Sequence, residues 1–509
     1  MASRGVRSNV SHAKGAVHMP SKKSKLSILS KSDMQMIHGA TMEVLSQVGV
    51  LVDCERTLDI LQQHGYDVDR GSKIVKMPEE RVMEAVKSCK RNFKWHARSD
   101  KHTIEVVDGR TKFGPGAQCL YYIDPETEEF RRATLQDGIV ACRLLDALDN
   151  APVAYVPLHT SDVPDEVNSV VGWATSIVNT SKPSYGSGGY DHEFDLMLRV
   201  ADVLLGSRER LRKKNLFPGY IDPISPLGHD ERMLGTLLRS CEWNQPVFVT
   251  VMALAGGTAP ASLAGLLVQQ NAEILSSIAI AKCVTKAPKI VYGSVSCPLD
   301  MRSGIASTGS PEFSIIGAAS VQLAKHYRLP SNMGVQSDSK VIDEQTAYEK
   351  AQAALTAVMV GADFSELFMG STETFNAFSP VQLMIDDEIA SNVCRMERGI
   401  EVNEDTLSVD VIAKTGPLGN YLKHPKTLKH FRSEHSLAKL SDRQSRQQWA
   451  ANGSKGTKER AKERMKHLLR THTPEPLEPG VRKGLEALVS EYTKEYHLGM
   501  LENVDAIAR

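Results

Sequence analysis

The chain has 509 residues, 41% of them hydrophobic, so it can bury a large core and form one large unit or two to three domains. Its 61 basic and 61 acidic residues cancel, which gives no reason to expect a nucleic acid or a membrane as partner. The eight cysteines are scattered without a CxxC pair, and no secretory signal is visible, so we expect reduced thiols and a cytoplasmic location. The histidines form no metal-ligating cluster, so no metal is expected to be bound by this chain.

The N-terminal part of the chain reads as a tail followed by a helical region. Residues 1–25 are basic and acid-free with frequent Ser and Gly, which predicts a flexible tail. A transit peptide is disfavoured because the apolar face it needs is thin. Residues 26–110 predict a helical region, which begins with the helical apolar spacing of "SKSDMQMIHGATMEVLSQVGV". The stretch "FGPGAQCLYYIDPETEEFRRATLQD" then predicts a hairpin that turns at Asp124-Pro125.

Residues 111–400 alternate short apolar runs with helical patterns, as a (β/α)8 TIM barrel requires. An open, doubly wound sheet is the alternative, and the number of strands favours the barrel. The segment "LAGLLVQQNAEILSSIAIA" carries Gln269, Gln270, Asn271 and Glu273, so it predicts a buried helix and not a membrane span. The eight predicted strands are 112–116, 153–157, 184–188, 216–221, 247–252, 289–294, 331–335 and 364–368.

Residues 401–509 no longer show this alternation. "GTKERAKERMKHLLR" and "GVRKGLEALVSEYTKEY" predict two helices, and "THTPEPLEP" between them cannot continue a helix. We therefore expect a C-terminal helical extension that packs on the barrel or on a partner. The large surface of such a chain also favours a homo-oligomer.

In (β/α)8 barrels the active site lies at the carboxyl ends of the strands, so the residues at or after each strand are the first candidates. Plainer interpretations stay open. They are a helix-dipole role for Glu312, barrel packing for Tyr292 and Phe368, a surface ion pair for Arg302, a tight turn for Gly256-Gly257 and a pairing of Lys340 with Asp338. The candidates are Tyr220, Asp222, Gly256, Gly257, Tyr292, Arg302, Glu312, Lys340, Glu366 and Phe368.

Several long, collinear segments resemble the trimethylamine methyltransferase family. They are "AGGTAPASLAGLLVQQNAEIL", "YGSVSCPLDMRSGIASTGSPEFSIIGAASVQLAKHYRLP" and "SDSKVIDEQTAYEK", with "RRATLQD" and "LSDRQSRQQWAANGSKGTKERA" at either side. The resemblance implies a barrel enzyme that moves a methyl group from an amine to the cobalt of a corrinoid (cobalamin). It also implies that a separate corrinoid protein carries this cofactor and docks over the barrel mouth. The chain lacks the DxHxxG segment typical of that carrier.

Founding members of that family carry pyrrolysine in the active site, and the resemblance puts this position at Lys340, an ordinary lysine. Pyrrolysine is thought to capture the lone pair of a tertiary amine, which a quaternary ammonium lacks and does not need. The resemblance therefore implies a quaternary amine substrate, glycine betaine first, then carnitine, choline and proline betaine. The alternatives are a pyrrolysine enzyme, if an amber codon stands at position 340, and a barrel that binds betaine or the corrinoid protein without turnover.

Such a substrate defines what the candidate residues would do. Aromatic rings and carboxylates would offset the lost hydration of the cation, and no general base is expected. Cationic side chains or backbone N–H groups would hold the carboxylate of a betaine, and the same N–H groups could contact the cofactor. The cation is assigned to Tyr220, Tyr292, Phe368, Asp222, Glu312 and Glu366, and the anion to Arg302, Lys340, Gly256 and Gly257.

Overall fold

The computed structural model describes residues 25–116, 118–186 and 191–492, so nearly all of the predicted basic tail lies outside the described residues. The described chain forms one barrel. An N-terminal region lies below the barrel, and the part of the chain that follows the barrel adds further helices. This confirms the predicted fold class. The domain boundaries at residues 110 and 400 stay a prediction.

The N-terminal region contains the expected helices together with short strands that the sequence did not reveal. Its first helix begins at Ser30, whose side chain accepts a hydrogen bond from the backbone of Asp33 in a capping box. The strands have two to four residues, which is too short for a periodic pattern to be visible. The elements are α1 (Lys31–Glu43), β1 (Val50–Asp53), α2 (Glu55–Gln63), β2 (Asp67–Asp69), β3 (Ile74–Lys76), α3 (Glu79–Ser88), β4 (Lys94–Trp95) and β5 (Ile104–Glu105).

The central region alternates strands and helices, with short extra strands in the loops at the barrel mouth. The predicted hairpin is present as the antiparallel pair β7–β8. The elements are β6 (Lys112–Pro115), β7 (Tyr121–Ile123), β8 (Phe130–Arg132), α4 (Leu135–Ala147), α5 (Asp165–Asn179), α6 (Asp191–Leu205), β9 (Gly219–Ile221), β10 (Gly228–Asp230), α7 (Glu231–Glu242), β11 (Val247–Val251), β12 (Leu254–Ala255), α8 (Leu263–Val284), β13 (Ile290–Ser294), β14 (Cys297–Asp300), β15 (Ile305–Ala306), α9 (Pro311–His326), β16 (Ser331–Met333), α10 (Glu344–Val360), β17 (Phe364–Met369), β18 (Ser371–Thr372), β19 (Ala377–Phe378) and α11 (Pro380–Arg398).

Six of the eight predicted barrel strands form one parallel ladder. Its order is β6-β17-β16-β13-β11-β9, and every neighbouring pair is parallel. In terms of the eight predicted strands, the order is 1-8-7-6-5-4. The fourth to eighth strands thus lie side by side in chain order, and the eighth pairs with the first. Such an order is that of a barrel and rules out the doubly wound alternative.

The remaining two barrel positions are extended segments without a regular ladder, the second segment (153–157) and the third segment (184–186). A backbone hydrogen bond of 3.0 Å from Ala154 to Pro183 joins the two segments. The third segment donates a bond of 3.4 Å to the carbonyl of Pro218, just before β9. On the other side, Cys119, just after β6, donates a bond of 2.9 Å to the carbonyl of Pro157 at the end of the second segment, which completes the ring. The prolines explain the missing ladder because they have no N–H to donate.

Side chains alternate along each strand between the barrel interior and the surrounding helices. In β11, Val247, Val249 and Val251 pack outward in the core shared with α8, whereas Phe248 points inward. Trp95 of β4 lies 5.6 Å from the ring of Phe248, so the N-terminal region closes the lower end of the barrel.

Helix α8 is the one helix of the described chain that is long and apolar enough to cross a membrane by length and composition alone. Within its most apolar window, 72% of the residues are buried in the fold. Its polar side chains are also used inside the protein: Gln270 accepts a hydrogen bond from Ser294, and Glu273 accepts one from Ser225. These contacts confirm the predicted buried core helix.

The C-terminal extension is helical, as predicted, and two of its helices pack on the barrel. Helix α16 contacts α11 and α4, and α17 contacts α6 and α5 through buried Leu485 and Leu488. The elements are α12 (Glu404–Leu407), α13 (Val409–Thr415), α14 (Pro425–Glu434), α15 (Arg446–Ala451), α16 (Thr457–Thr471) and α17 (Pro479–Tyr492).

Candidate active site

Four aromatic side chains form a continuous wall inside the barrel. Tyr155 comes from the second segment, Tyr185 from the third, Tyr220 from β9 and Phe248 from β11. The ring of Tyr185 meets the other three edge-on, at 5.3 Å from Tyr155, 5.8 Å from Tyr220 and 5.1 Å from Phe248. Four neighbouring barrel positions thus supply one aromatic surface, and the packing of the rings against each other fixes their orientations.

A fully buried carboxylate, Glu366 of β17, extends into the same interior. One of its oxygens accepts a hydrogen bond from the hydroxyl of Tyr185, and the other, Oε1, has no hydrogen-bond partner in the described chain. A Cβ atom at Gly114 of β6 would lie 3.0 Å from Cγ of Glu366, so the missing side chain leaves room for the carboxylate. Burial raises the pKa of Glu366 well above its usual value.

Three more buried polar atoms on inward strand positions lack a partner among the described residues. They are Nδ2 of Asn332 on β16, the hydroxyl of Tyr220 on β9 and Oγ1 of Thr250 on β11. Tyr220 and Thr250 lie near each other, but their geometry does not make a hydrogen bond. Buried polar groups are normally satisfied, so a cluster of unsatisfied ones is a signature of a ligand site. We call this set of side chains the cage: Tyr155, Tyr185, Tyr220, Phe248, Thr250, Asn332 and Glu366.

Asp222 lies on the mouth side of the cage. It follows Tyr220 by two residues, so its side chain has the same inward direction, and it accepts a hydrogen bond of 3.2 Å from the backbone of Met252. Burial, with a further contribution from Glu273, raises the pKa of Asp222 to about 7. Its charge therefore changes within the physiological pH range.

A buried ion pair fixes the end of β17 above the cage. Lys350 of α10 and Asp386 of α11 are fully buried and lie 2.8 Å apart. Lys350 also donates to the carbonyl of Phe368 at 2.8 Å, and Asp386 accepts from the N–H of Gly370 at 2.7 Å. Between these anchors and Glu366, Leu367 has a positive φ of 61° and the strand register shifts.

Of the predicted aromatic contacts, Tyr220 lies in the cage, but Tyr292 and Phe368 point outward and cannot touch a ligand there. The hydroxyl of Tyr292 donates a 3.0 Å hydrogen bond to Asn271 of α8. Phe368 packs 5.4 Å from Phe113 in the core below α10 and α11. The reason for the correction is strand alternation, which turns every second residue toward the helices, and the bulge that precedes Phe368.

The two predicted cationic contacts, Arg302 and Lys340, both lie in solvent. The side chain of Arg302 is 94% exposed and lies 3.7 Å from Asp300. Lys340 is exposed, and its ammonium group donates to the backbone carbonyl of Asp338 at 2.7 Å. Neither side chain reaches the cage, so in this structure neither can hold the anionic end of a substrate bound there.

The remaining predicted contacts also have local structural partners. The N–H groups of Gly256 and Gly257 donate to the carbonyls of Ala259 and Leu254, so the glycines form a tight turn and not an anion site. Glu312 stands half-buried in the first turn of α9, where a carboxylate complements the helix dipole. Asp222 and Glu366, in contrast, lie beside Tyr220 at the inner face of the barrel.

The sequence predictions missed five cage residues because they looked mainly beyond the strand ends. Aromatic residues at inward positions within the predicted strands were the available signal, but nothing in the sequence separates inward from outward positions. The missed residues are Tyr155, Tyr185, Phe248, Thr250 and Asn332.

Two other features of the described chain do not coincide with the cage. No group of three or more His, Cys, Asp or Glu side chains in these residues is arranged to hold a metal ion. A surface cavity of about 390 Å³ lies between α1, α8 and α9, and its lining is almost entirely apolar. It contains none of the cage residues, so it belongs to the outside of the barrel.

Comparison with known proteins identifies the family. The trimethylamine methyltransferase (MTTB) family profile matches residues 2–497. The chain is 33% identical over 475 residues to glycine betaine methyltransferase of Desulfitobacterium hafniense strain Y51, covering 92% of this chain and 98% of that protein. It is 31% identical over 468 residues to trimethylamine methyltransferase MttB of D. hafniense strain DCB-2, covering 92% and 94%. The crystal structure of monomethylamine methyltransferase MtmB of Methanosarcina barkeri matches with a TM-score of 0.52 at 13% identity, covering 95% of this chain and 90% of that one, which supports the fold. The chain therefore belongs to the trimethylamine methyltransferase family.

Proposed function

We propose that this protein moves a methyl group from a quaternary amine to the cobalt of a corrinoid carried by a separate protein. The observation that carries the proposal is the cage, in which a buried carboxylate without a described counter-ion faces an aromatic wall. Aromatic faces and a carboxylate together can replace the hydration of a quaternary ammonium group. Membership in a methyltransferase family supplies the reaction class.

The chemistry of a quaternary substrate also fits what the cage offers. Its leaving group is a neutral amine, so no proton has to be added or removed at the nitrogen before the methyl group leaves. The corrinoid supplies a strongly nucleophilic cobalt as methyl acceptor. The protein's part is to hold one N–CH₃ bond toward the mouth and to keep water away from the cation. Glycine betaine is the first substrate to test, since a relative carries its name.

The rim of the barrel mouth has the character of a docking surface for the corrinoid protein. Four large apolar side chains there are more than half exposed. They come from the loops that follow β9, β13 and β16, so they surround the opening above the cage. A partner that covers this rim would bury them and exclude water from the reacting methyl group. The residues are Ile224, Met301, Ile305 and Val341.

The test is methyl transfer to free cob(I)alamin by the purified protein, followed by its visible spectrum. We expect methylcobalamin to form with glycine betaine, choline or a related quaternary amine, and not with trimethylamine. Trimethylamine, with a pKa of roughly 10, would arrive protonated and without a lone pair to capture. Turnover of trimethylamine with none on any quaternary amine would refute the proposal.

We also propose that the chain forms a homo-oligomer through an apolar arm, residues 400–437. The arm contains α12, α13 and α14, and ion pairs between Asp405 and both Lys426 and Lys429 hold its helices together. It leaves the barrel at the C-terminal end of α11, opposite the mouth, so the corrinoid protein does not cover it there. Its exposed large apolar side chains are Ile400, Val402, Leu407, Val409, Ile412, Leu418, Tyr421, Leu422, Leu428, Phe431 and Leu437.

A second copy of the chain is the occupant that this arm fits. A stable dimer buries about 800 Å² on each partner, and a run of this length with most side chains more than half exposed offers an area of that order. We expect the double variant Leu418→Asp/Leu422→Asp to have the mass of one chain by light scattering. Tyr348→Asp, at a similarly exposed position on α10, is the control and keeps the larger mass. A wild-type protein that is already a monomer would refute the interface.

The thiols support a cytoplasmic location. All eight cysteines are free, and most of them are buried in the fold. Buried thiols without disulfide partners suit a reducing compartment. The cobalt acceptor also requires reducing conditions, so we propose that the protein works in the cytoplasm.

A further inference from the structure

We propose that the empty cage holds a proton on Glu366, and that an entering quaternary ammonium ion displaces this proton, making Glu366 the counter-ion of the substrate. The inference rests on the proposed function and deepens it, because it names the charged contact and predicts a proton exchange that accompanies binding.

The surroundings of Glu366 contain no described positive charge. The hydroxyl of Tyr185 donates to Oε2, and the backbone N–H of Glu366 itself donates to Oδ1 of Asn332 at 3.2 Å. From β6, Gly114 faces the side chain with no group of its own. Burial raises the pKa of Tyr155 well above its usual value, and the nearby Glu366 raises the pKa of Tyr155 further. The phenol of Tyr155 therefore stays neutral.

On β6, the ammonium group of buried Lys112 lies 5.6 Å from the ring of Phe364, but it is paired with Asp108 at 2.6 Å and donates to two backbone carbonyls, so its charge is already offset. Phe248 and Phe364 are the inward residues below, and Trp95 closes the floor of the barrel. Burial likewise raises the pKa of Tyr220, the remaining phenol. Asp222, on the mouth side, is itself an acid and does not act on the pKa of Glu366. Glu366 is thus the one carboxylate of the cage, and no described positive charge holds it in the ionised form.

Charge balance then separates two states of the site. An ionised carboxylate buried without a counter-ion is unfavourable, so the empty cage favours the neutral acid, with its proton at the unpartnered Oε1. A cation in contact with the carboxylate reverses this preference, because the paired charges stabilise each other in a poorly hydrated site. Tyr185 donates to the other oxygen in both states, so no side chain has to move.

This exchange has a thermodynamic signature. Below the pKa of Glu366 in the empty cage, protons compete with the cation, and the affinity should fall about tenfold for each pH unit. Each cation that binds in this range should release close to one proton. An uncharged ligand of the same shape should release none, because it gives the carboxylate no reason to ionise.

The experiment is isothermal titration calorimetry of the full chain carrying Asp222→Asn with choline, in phosphate and in Tris buffer at about pH 7, so that Asp222 contributes no proton. These buffers differ in their heat of ionisation, so the difference in measured heat gives the number of protons released. We expect close to one proton with choline, and none with 3,3-dimethylbutanol, its uncharged isostere. Tight binding of choline without proton release would overturn the inference and leave the proposed function standing.

Variants give an independent measurement. In Glu366→Gln combined with Asp222→Asn, proton release and the pH dependence of affinity should disappear, and affinity should fall about 10- to 100-fold relative to Asp222→Asn alone with the loss of a charged contact. Glu344→Gln, an exposed position in the first turn of α10, is the matched control and should behave like wild type. Unchanged proton release in the folded double variant would overturn the assignment of the proton to Glu366.

The two proposals fail in different ways. If the Glu366→Gln variant does not fold, the comparison of choline with its isostere in the Asp222→Asn protein still decides the inference. If no quaternary ammonium ion binds while trimethylamine is demethylated, the proposed function fails, whatever the proton count. If choline and glycine betaine are demethylated without proton release, only the role of Glu366 as a proton-exchanging counter-ion fails.

Discussion

Removing Lys350 should destabilise the fold more than removing any exposed lysine, because its partner Asp386 would remain buried without a counter-ion. Lys350 and Asp386 are both fully buried at 2.8 Å. Lys350→Met keeps the length of the aliphatic chain and removes the ammonium group. Breaking such a pair from one side costs about 3–5 kcal/mol of unfolding free energy.

The size of this loss should depend on pH. Burial raises the pKa of Asp386, and the attraction of Lys350 opposes that shift. Without Lys350 the pKa of Asp386 rises further, so the folded variant retains a proton that the unfolded chain loses above about pH 4. Stability must then fall as pH increases, by about 1.4 kcal/mol per pH unit, until the raised folded pKa is passed. The wild-type protein should show a weaker fall.

The assay is urea unfolding followed by circular dichroism at about pH 6 and about pH 8. Adding Asp386→Asn to Lys350→Met should recover stability and flatten the pH dependence, because the amide oxygen can still accept the N–H of Gly370 without a charge. Lys101→Met, which removes an exposed ion pair with Glu475, is the control and should change little. The reasoning is refuted if Lys350→Met costs less than about 1 kcal/mol at the higher pH, or if the second substitution brings no recovery.

Three further predictions concern the site. Gly114→Ala should raise KM for a quaternary amine about tenfold, because the added Cβ lies 3.3 Å from Oε1 of Glu366; Gly39→Ala, where nothing lies within 4 Å, should leave KM unchanged. The wild-type kcat/KM should rise with pH through about 7 as Asp222 ionises and attracts the cation, and Asp222→Asn should lose this step in a pH profile. Arg302→Ala and Lys340→Ala should each leave KM for glycine betaine within about twofold, because both side chains lie in solvent; a large rise in steady-state assays would contradict the placement.

The sequence was sufficient for the barrel but not for the side of each strand that faces inward. Apolar runs separated by capped helices predicted all eight barrel positions, because a parallel strand covered on both faces is a short hydrophobic run. In such a run, the sequence does not show which side chains face the barrel interior and which face the helices. Tyr220 and Tyr292 both lie within predicted strands, yet one enters the cage and the other bonds Asn271 among the helices.

The bulge in β17 could not be predicted from the sequence either. Positive φ at Leu367 shifts the register of β17, so Glu366 and Phe368 end on opposite sides of the barrel wall. Leucine rarely adopts a left-handed conformation, so the sequence gives no reason to expect one at this position. The register shift also depends on contacts of β17 with Lys350 of α10 and Asp386 of α11. Lys340, by contrast, lies in a strand-end loop, and position in a loop alone does not fix where a long side chain points.

The residues of the cage stand on two kinds of backbone, which differ in how many hydrogen bonds hold them. Thr250, Asn332 and Glu366 stand on the continuous parallel ladder, whereas Tyr155 and Tyr185 stand on the two segments that have only isolated backbone bonds. Local opening should therefore begin at the segments that carry Tyr155 and Tyr185, and amide hydrogen exchange should be faster there than at Tyr220 and Phe248, which stand on the ladder. Over evolutionary time, substitutions in these two segments can reshape the wall against which the substrate rests while the ladder keeps the counter-ion in place. The breadth of substrates accepted by one such barrel can change in this way without any change in its charge.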